Sequence, residues 1–202
     1  MESGTGPIYG GPASQANLYR PYVAPGGPDG YIGGTMRMTE LFVAQLDREI
    51  PLSRRVLQRV PEGRQDWKPH EKSTPLWYVA YLVASMPTWA TMAVLQDSLD
   101  LNPTGGSRRP EPWKTTAELL QLFEESSRKA REAIGGATDE HLLTTWKLLA
   151  GGRTVSETPR HVVIADNFSH MAHHRAQLTT YFRLLDIPVP SVYGPTADER
   201  GF

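Results

Sequence analysis

The stretch NFSHMAHHRAQL, residues 167–178, lies in a predicted helix and carries three histidines within five positions. His170 and His174 are four residues apart, so they share one face of the helix. His173 lies about 100° around the axis from His174 and projects from a different face. Two imidazoles one turn apart in a helical core can form half of a metal site. They can equally be ordinary, partly buried histidines that bond to their neighbours.

The helix that contains these histidines is predicted to open near Thr158–Pro159 and to run to about residue 185. Pro188 and Pro190 prevent any continuation. A stripe at helical spacing is predicted to face inward. It consists of Val163, Asn167, His170, His174, Gln177 or Leu178, and Tyr181.

Polar neighbours of the histidines suggest how the imidazoles could be held. Asp166 and Asn167 precede His170 by four and three residues, so either could orient an imidazole through a hydrogen bond. Arg175 follows His174 directly and is expected to pair with an acidic group or with a partner subunit.

Three further helices are predicted upstream. The first covers about 39–60, with Thr39 as its N-cap and apolar residues at helical spacing. The second covers about 75–98 and is apolar nearly all round, which predicts a central position. Pro87 lies inside it and should kink it. The third covers about 115–134 and opens with a sequence typical of a capping box.

The fold predicted from these elements is all-α: a four-helix bundle. The segment between the third and fourth helices should contain a short helical turn. Its later part, WKLLAGGRTV, forms either a small hairpin around Gly151–Gly152 or an extended connection.

Residues 1–35 differ in composition from the rest, with nine Gly and five Pro. No helix or strand is expected there, and residues 1–37 are predicted to be an irregular extension before a domain at 38–202. The extension is either a loosely held tail or an arm anchored by its tyrosines. These are Tyr9, Tyr19, Tyr22 and Tyr31.

The composition of the chain disfavours several classes of partner and of chemistry. The chain has 202 residues and a formal charge of −1, which favours neither nucleic acid nor an anionic membrane surface as a partner. It has no cysteine, which excludes disulfides and thiolate ligands and fits a reducing compartment. No apolar run is long enough to span a bilayer, and the N-terminus does not read as a signal peptide, so a cytoplasmic protein is expected.

Three stretches resemble the DinB/YfiT-like superfamily of metal-dependent proteins. They are WKPHEKSTPLWYVAYLVASMPTW at 67–89, HMAHHRAQLTTYFRLLDIPVP at 170–190 and YGPTADE at 193–199. They occur in the family's order, and the resemblance covers about 38–199. It implies a four-helix bundle, often a homodimer, and a divalent ion such as Ni, Zn or Fe held by three histidines.

The resemblance assigns His170 and His174 to two of these ligands, whereas the third falls on Tyr81. A phenol must lose its proton before it ligates strongly, so metal binding should be weak or absent. Tyr81 is then expected to donate a hydrogen bond toward His170, His174 or water between them. His70 and Glu71, in the loop before the second helix, are poor substitutes by position.

Three alternative functions fit these residues, and the sequence does not decide among them or establish which residues are catalytic. The resemblance implies a metal-dependent hydrolase or thiol transferase acting on a small molecule. The tyrosine at the third ligand position favours instead a stress-associated or small-molecule-binding protein that has lost tight metal binding. The third option is catalysis without metal, with His174 as general base and Tyr81 as acid. No phosphate loop, nucleophile elbow or HExxH motif is present.

Overall fold

The computed structural model describes residues 36–104, 106 and 110–200. Within them the chain forms six helices and a three-stranded sheet. The elements are α1 Met38–Leu57, α2 Leu76–Ser85, α3 Pro87–Leu95, β1 Ser98–Asp100, α4 Thr116–Gly136, α5 Asp139–Leu143, β2 Thr145–Ala150, β3 Arg153–Pro159 and α6 Arg160–Leu184. Nearly all of the predicted extension, residues 1–35, lies outside the described residues.

The predicted helices are found within a few residues of their expected bounds, with one exception. The second is divided at Met86 into α2 and α3, whose axes are bent by 43°. Pro87 is the first residue of α3, where its missing N–H and its ring prevent the helix from continuing straight. The kink is therefore confirmed, whereas a single helix over 75–98 is wrong.

The prediction of an all-α four-helix bundle holds only in part: the described residues are mostly helical, but residues 98–159 also contribute a small sheet. β1 pairs with β2 in parallel, and β2 pairs with β3 antiparallel. The sequence predicted either a hairpin around Gly151–Gly152 or an extended connection, and the β2–β3 connection is the hairpin. Gly151 and Gly152 have φ angles of 61° and 75°, the left-handed values that a tight two-residue hairpin requires.

The hydrophobic core lies between α1, α2, α3, α4 and α6. Its largest fully buried apolar side chains include Leu46, Leu57, Phe123, Ile164 and Phe182. The apolar surface of α2 packs against α4 and α6. No single helix of the described chain is long and apolar enough to cross a membrane, though α2 and α3 together reach that length and composition across their bend.

The inward face of α6 differs from the predicted stripe. Its buried side chains include Ile164, Phe168, Met171, Arg175 and Phe182. Of the predicted stripe, Asn167, Leu178 and Tyr181 are buried. His170 is exposed, and Val163, His174 and Gln177 are partly exposed. The prediction that the histidines lie in the core is therefore corrected: they lie beside the core face.

Arg175 occupies the core because its charge has partners there. Its guanidinium donates to Glu49 at 2.6 Å, to Ser53 at 2.8 Å and to the Tyr193 hydroxyl. A buried cation is tolerated when its charge is paired and its N–H groups are satisfied. The expected acidic partner of Arg175 is thus Glu49, on α1.

Arg160 fixes the start of α6 against the end of α3. This buried guanidinium donates to the carbonyl oxygens of Ala93 and Gln96 at 2.7 and 2.5 Å and to the Asp97 carboxylate at 2.6 Å. The last carbonyl groups of a helix lack partners within the helix, so a cation there is favourable. The contact ties the start of α6 to the end of α3.

Candidate functional site

His170 and His174 direct their Nε2 atoms toward each other on one flank of α6. The two nitrogens are 2.9 Å apart, and the ring centroids are separated by 4.6 Å. One turn of helix between the two residues brings the rings together. The structure therefore juxtaposes the histidine pair that the sequence singled out, at the half-exposed flank of the helix.

Gln177 holds the second nitrogen of His174. Its Oε1 atom lies 2.8 Å from His174 Nδ1. A carbonyl oxygen can only accept, so Nδ1 carries the proton and the lone pair of His174 is on Nε2. This is the tautomer that suits either a metal ligand or a general base.

Neither Asp166 nor Asn167 has the orienting role predicted for it. Among the described residues, no hydrogen bond joins either side chain to an imidazole, and Asn167 Nδ2 instead donates to the Met86 carbonyl at 3.0 Å. Gln177 is the residue that orients His174. It follows His174 by three residues and therefore lies on the same face of the helix, so this contact could have been predicted from the sequence.

The environment of His174 favours its neutral form. Burial lowers the pKa of His174, and the neighbouring rings of His170 and His173 lower it further, while the hydrogen bond with Gln177 opposes these effects. A neutral imidazole keeps the lone pair that a metal or a transferred proton needs.

Tyr81 lies on α2 and is partly exposed. Its ring stacks on Tyr78, with centroids 6.1 Å apart and planes 11° apart. Within the described part of the chain, no hydrogen bond or ring contact joins Tyr81 to His170 or His174. A role for Tyr81 at the histidine pair therefore stays a prediction.

The remaining histidine candidates lie outside the pair. The exposed ring of His173 has its centroid 5.1 Å from that of His174, in an edge-on arrangement. In the loop before α2, His70 Nδ1 accepts from the Lys72 N–H at 3.1 Å. The Glu71 carbonyl accepts from Lys68 at 2.6 Å. His70 and Glu71 thus take part in local loop contacts.

The histidine pair fits a divalent ion only in part. Two imidazole nitrogens at about 2.0–2.1 Å from one ion are separated by about 2.9 Å when cis at a right angle and by about 3.3 Å in a tetrahedron. The observed 2.9 Å matches the first arrangement, and it is equally the length of the N–H···N hydrogen bond between the two rings, which an ion would replace. Over residues 36–104, 106 and 110–200, however, no group of three His, Cys, Asp or Glu side chains is placed to hold an ion. The donor set is therefore a two-imidazole site, open on its remaining sides.

A cavity of about 190 Å³ adjoins the pair, between α3, the β2–β3 hairpin and α6. Exposed Asp166 and His170 belong to its rim, whereas buried Trp146 and Asn167 belong to its interior lining. The sequence did not single out Trp146, because only the register of β2 places this side chain beside α6.

No protein-family model matches the sequence, and no curated protein matches it significantly. The structure, in contrast, resembles the DinB-like protein YjoA from Bacillus subtilis, with a TM-score of 0.56 and 14% identity over 79% of this chain and 99% of that chain. It also resembles a DinB-like protein from Bacillus cereus, with a TM-score of 0.58 and 18% identity over 75% of this chain and 95% of that chain.

This chain has the DinB-like fold. A protein from Exiguobacterium sibiricum that is assigned to the DinB family agrees, with a TM-score of 0.52 and 15% identity over 79% of this chain and 99% of that chain. The resemblance predicted from the three sequence stretches is thus confirmed at the level of the fold. A fold hosts many functions, so the function of this DinB-like chain has to be argued from its own site.

Proposed function

We propose that this DinB-like chain is a small-molecule enzyme whose centre is the His170–His174 pair, which binds a divalent ion such as Zn²⁺, Ni²⁺ or Fe²⁺ weakly. The observation that supports this most directly is the 2.9 Å approach of the two Nε2 atoms. Gln177 adds support, because it holds His174 in the ligating tautomer.

An ion at this pair supplies Lewis-acid chemistry that lowers the pKa of a water or a low-molecular-weight thiol, as hydrolases and thiol transferases need. The protein supplies the geometry. His174 presents its Nε2 lone pair on one flank of α6, and His170 Nε2, which donates to it across the 2.9 Å contact, would present a second lone pair once its proton moves to Nδ1. Gln177 fixes the His174 ring, and the adjoining cavity offers room for a small substrate.

Tyr81 explains why binding would be weak. It stands where the resembling family supplies a third histidine, and a phenol must lose its proton before it ligates strongly. Two imidazoles alone give fewer bonds to the ion than the three protein ligands typical of catalytic zinc sites.

Calorimetric titration of the purified protein with Zn²⁺ and Ni²⁺ tests this proposal. We expect one saturable site that His174→Gln abolishes. His173→Gln is the matched control, since His173 neighbours the pair but lies on another face. Binding that survives His174→Gln, or that is lost equally in His173→Gln, would contradict the proposal.

One observation favours a second candidate, a binding protein without catalysis. Among the described residues, no third ligand side chain joins the two imidazoles, so tight metal binding is not favoured. The cavity beside them, which residues of the sheet and of α6 both line, can hold a small molecule without a metal. In this case a small molecule binds in the cavity with no dependence on metal. Ligand binding that is unchanged by a chelator, together with no saturable metal binding, would favour this candidate over the enzyme.

We also propose that the chain forms a homodimer, as the family resemblance implies. The apolar character of α2 adds no support, because α2 buries its side chains against α4 and α6 of the same chain. Light scattering at tens of micromolar protein tests the assembly, and a monomer mass would contradict it.

A further inference from the structure

The cavity between α3, the β2–β3 hairpin and α6 has a carboxylate at its rim that no cation of the described residues neutralises. Asp166 lines the cavity and is exposed, so a dissolved molecule can reach its side chain. Within residues 36–104, 106 and 110–200, Asp166 makes no ion pair and its side chain makes no hydrogen bond. No Lys or Arg belongs to the lining. The mouth of the cavity is therefore negative, which favours a cation over an anion.

The sheet contributes hydroxyl groups to the cavity wall and turns its lysine away. Leu148 pairs with Ser156, and both side chains line the cavity together with Thr158. Successive side chains of a strand point to opposite faces, so Lys147 and its cross-strand partner Glu157 lie on the other face, where they form an ion pair at 3.4 Å. The two hydroxyl oxygens are thus possible acceptors for N–H groups, with no competing cation beside them.

Trp89 on α3 provides an aromatic surface in the same cavity. Its side chain lines the cavity and is partly exposed. In the part of the chain that the structure describes, no second ring and no cationic side chain stacks on it. The face of an indole attracts an ammonium group more strongly than any other side-chain ring does. A solvated carboxylate by itself indicates no ligand, but a carboxylate and an uncovered indole on one cavity are the two groups that recognise organic cations.

The volume of the cavity limits the size of the ligand. It measures about 190 Å³. A cavity of about 150 Å³ can hold benzene, so this one has room for a six-membered ring that carries one ammonium group. Leu148 and Val163 provide apolar contact for such a ring.

We infer that this cavity binds a small organic ammonium ion. Its N–H groups donate to the Asp166 carboxylate, with the hydroxyls of Ser156 and Thr158 as further acceptors, and its apolar part lies against the side chains of the lining. As a statement of substrate class, this inference rests on the proposed function. As a statement of binding, it needs only the cavity and no ion at the histidine pair.

The probe is cyclohexylammonium, titrated into the full chain in the presence of a chelator. Binding is followed in ¹H–¹⁵N spectra by the indole signal of Trp89, which is assigned through its loss in Trp89→Leu. We expect saturable binding that shifts this signal. Cyclohexanol has the same ring without the charge and should bind about fivefold more weakly, the effect of one partly exposed ion pair. Cyclohexanecarboxylate, the anion, should bind more weakly still.

Asp166→Asn should weaken cyclohexylammonium binding about fivefold and leave cyclohexanol binding unchanged, because it removes the charge and keeps the size of the side chain. Asp186→Asn is the matched control. Asp186 is exposed, follows the end of α6 and does not line the cavity, so its substitution changes the net charge equally without touching the site. This variant should bind cyclohexylammonium as the wild type does.

Trp89→Leu tests the aromatic part of the site. It keeps an apolar side chain and removes the ring face, so the preference for cyclohexylammonium over cyclohexanol should fall about threefold, the effect of one exposed cation–π contact. An unchanged preference would overturn the role of Trp89.

Failure of this inference is distinguishable from failure of the proposed function. Cyclohexanol binding as tightly as cyclohexylammonium, equal effects of Asp166→Asn and Asp186→Asn, or no saturable binding of the cation would each overturn the cation site. None of these results bears on Zn²⁺ titration. Conversely, absent metal binding leaves the cyclohexylammonium result in place, since the chelator removes metal from the experiment.

Discussion

The Oε1 atom of Gln177 lies 2.8 Å from Nδ1 of His174, one helical turn along α6. The proton shared by these two atoms commits the other ring nitrogen of His174 to act as an acceptor. That nitrogen faces His170 at 2.9 Å. A single glutamine therefore determines which way the histidine pair can ligate an ion or accept a proton.

Two substitutions of Gln177 should change the Zn²⁺ affinity in opposite directions. Gln177→Leu removes the partner of Nδ1 and should weaken Zn²⁺ binding about tenfold, the lower end of what orienting groups contribute. Gln177→Glu replaces the amide oxygen with a carboxylate and should strengthen it. Calorimetric titration of both variants measures the effect, and identical affinities would show that Gln177 does not orient a ligand.

Tyr81→His should raise divalent-metal affinity by about tenfold or more, since a neutral imidazole replaces a group that must first deprotonate. The matched control is Tyr78→His, because Tyr78 stacks on Tyr81 and occupies the same helix. Titration with Ni²⁺ or Zn²⁺ compares the three proteins. Equal affinities, or a tighter wild type, would show that Tyr81 is either a true ligand or distant from the pair.

The buried pair of Arg175 and Glu49 should dominate the stability of the α1–α6 contact. Its atoms are 2.6 Å apart, and its side chains are 2% and 8% exposed. Glu49→Ala leaves a buried guanidinium without its counter-charge and should lower the free energy of unfolding by about 3 kcal/mol. Urea denaturation followed by circular dichroism measures this change.

An exposed ion pair between Asp47, which is also on α1, and Arg131 on α4 provides the control for Glu49. Asp47 contacts Arg131 at 2.8 Å, and these side chains are 41% and 56% exposed. Asp47→Ala should therefore cost less than about 1 kcal/mol. Similar losses in the two variants would contradict the view that burial, rather than charge pairing itself, sets the cost.

The C-terminal segment 189–199 should loosen in acid. The hydrogen bond from Arg183 lowers the pKa of Asp198, and the backbone N–H of Ser191 lowers that of Glu199. A carboxyl whose pKa is lowered by folding stabilises the folded form fully above its ordinary pKa, about 4. That stabilisation is lost as the pH falls through the lowered value.

Hydrogen exchange of segment 189–199 at pH 6 and pH 3 tests this expectation. Protection should fall at the lower pH in the wild type, while Glu199→Gln should already be less protected at pH 6. Unchanged protection at both pH values would show that these carboxylates do not hold the segment.

The helical elements could be predicted because their signals are local. Thr115 caps α4 by accepting from the Glu118 N–H at 3.2 Å, as its sequence pattern predicts. Thr39 was expected to cap α1, yet it is buried within the helix. The first N–H groups of α1, at Met38 and Thr39, instead donate to Asp139 at 3.0 and 3.3 Å. A cap supplied from 100 residues away has no local signal.

The candidate site shows the same division between local and distant contacts. The spacing of His170 and His174 predicts their approach, because both lie on one helix. Their position beside the core could not be predicted from the sequence. An arginine is normally expected at the surface, and Arg175 takes the core face of α6 only because Glu49 on α1 pairs with it there. The Trp146 indole likewise reaches the cavity only through the pairing of β2 with β3.

The central claim, that His170 and His174 bind one ion together, is tested most directly by ¹⁵N spectra of the six histidine rings during Zn²⁺ titration. We predict that the Nε2 resonances of His170 and His174 move together with one midpoint, while Nδ1 of His174 stays protonated and His173 does not respond. Movement of only one of the pair, or of histidines elsewhere in the chain, would contradict the claim.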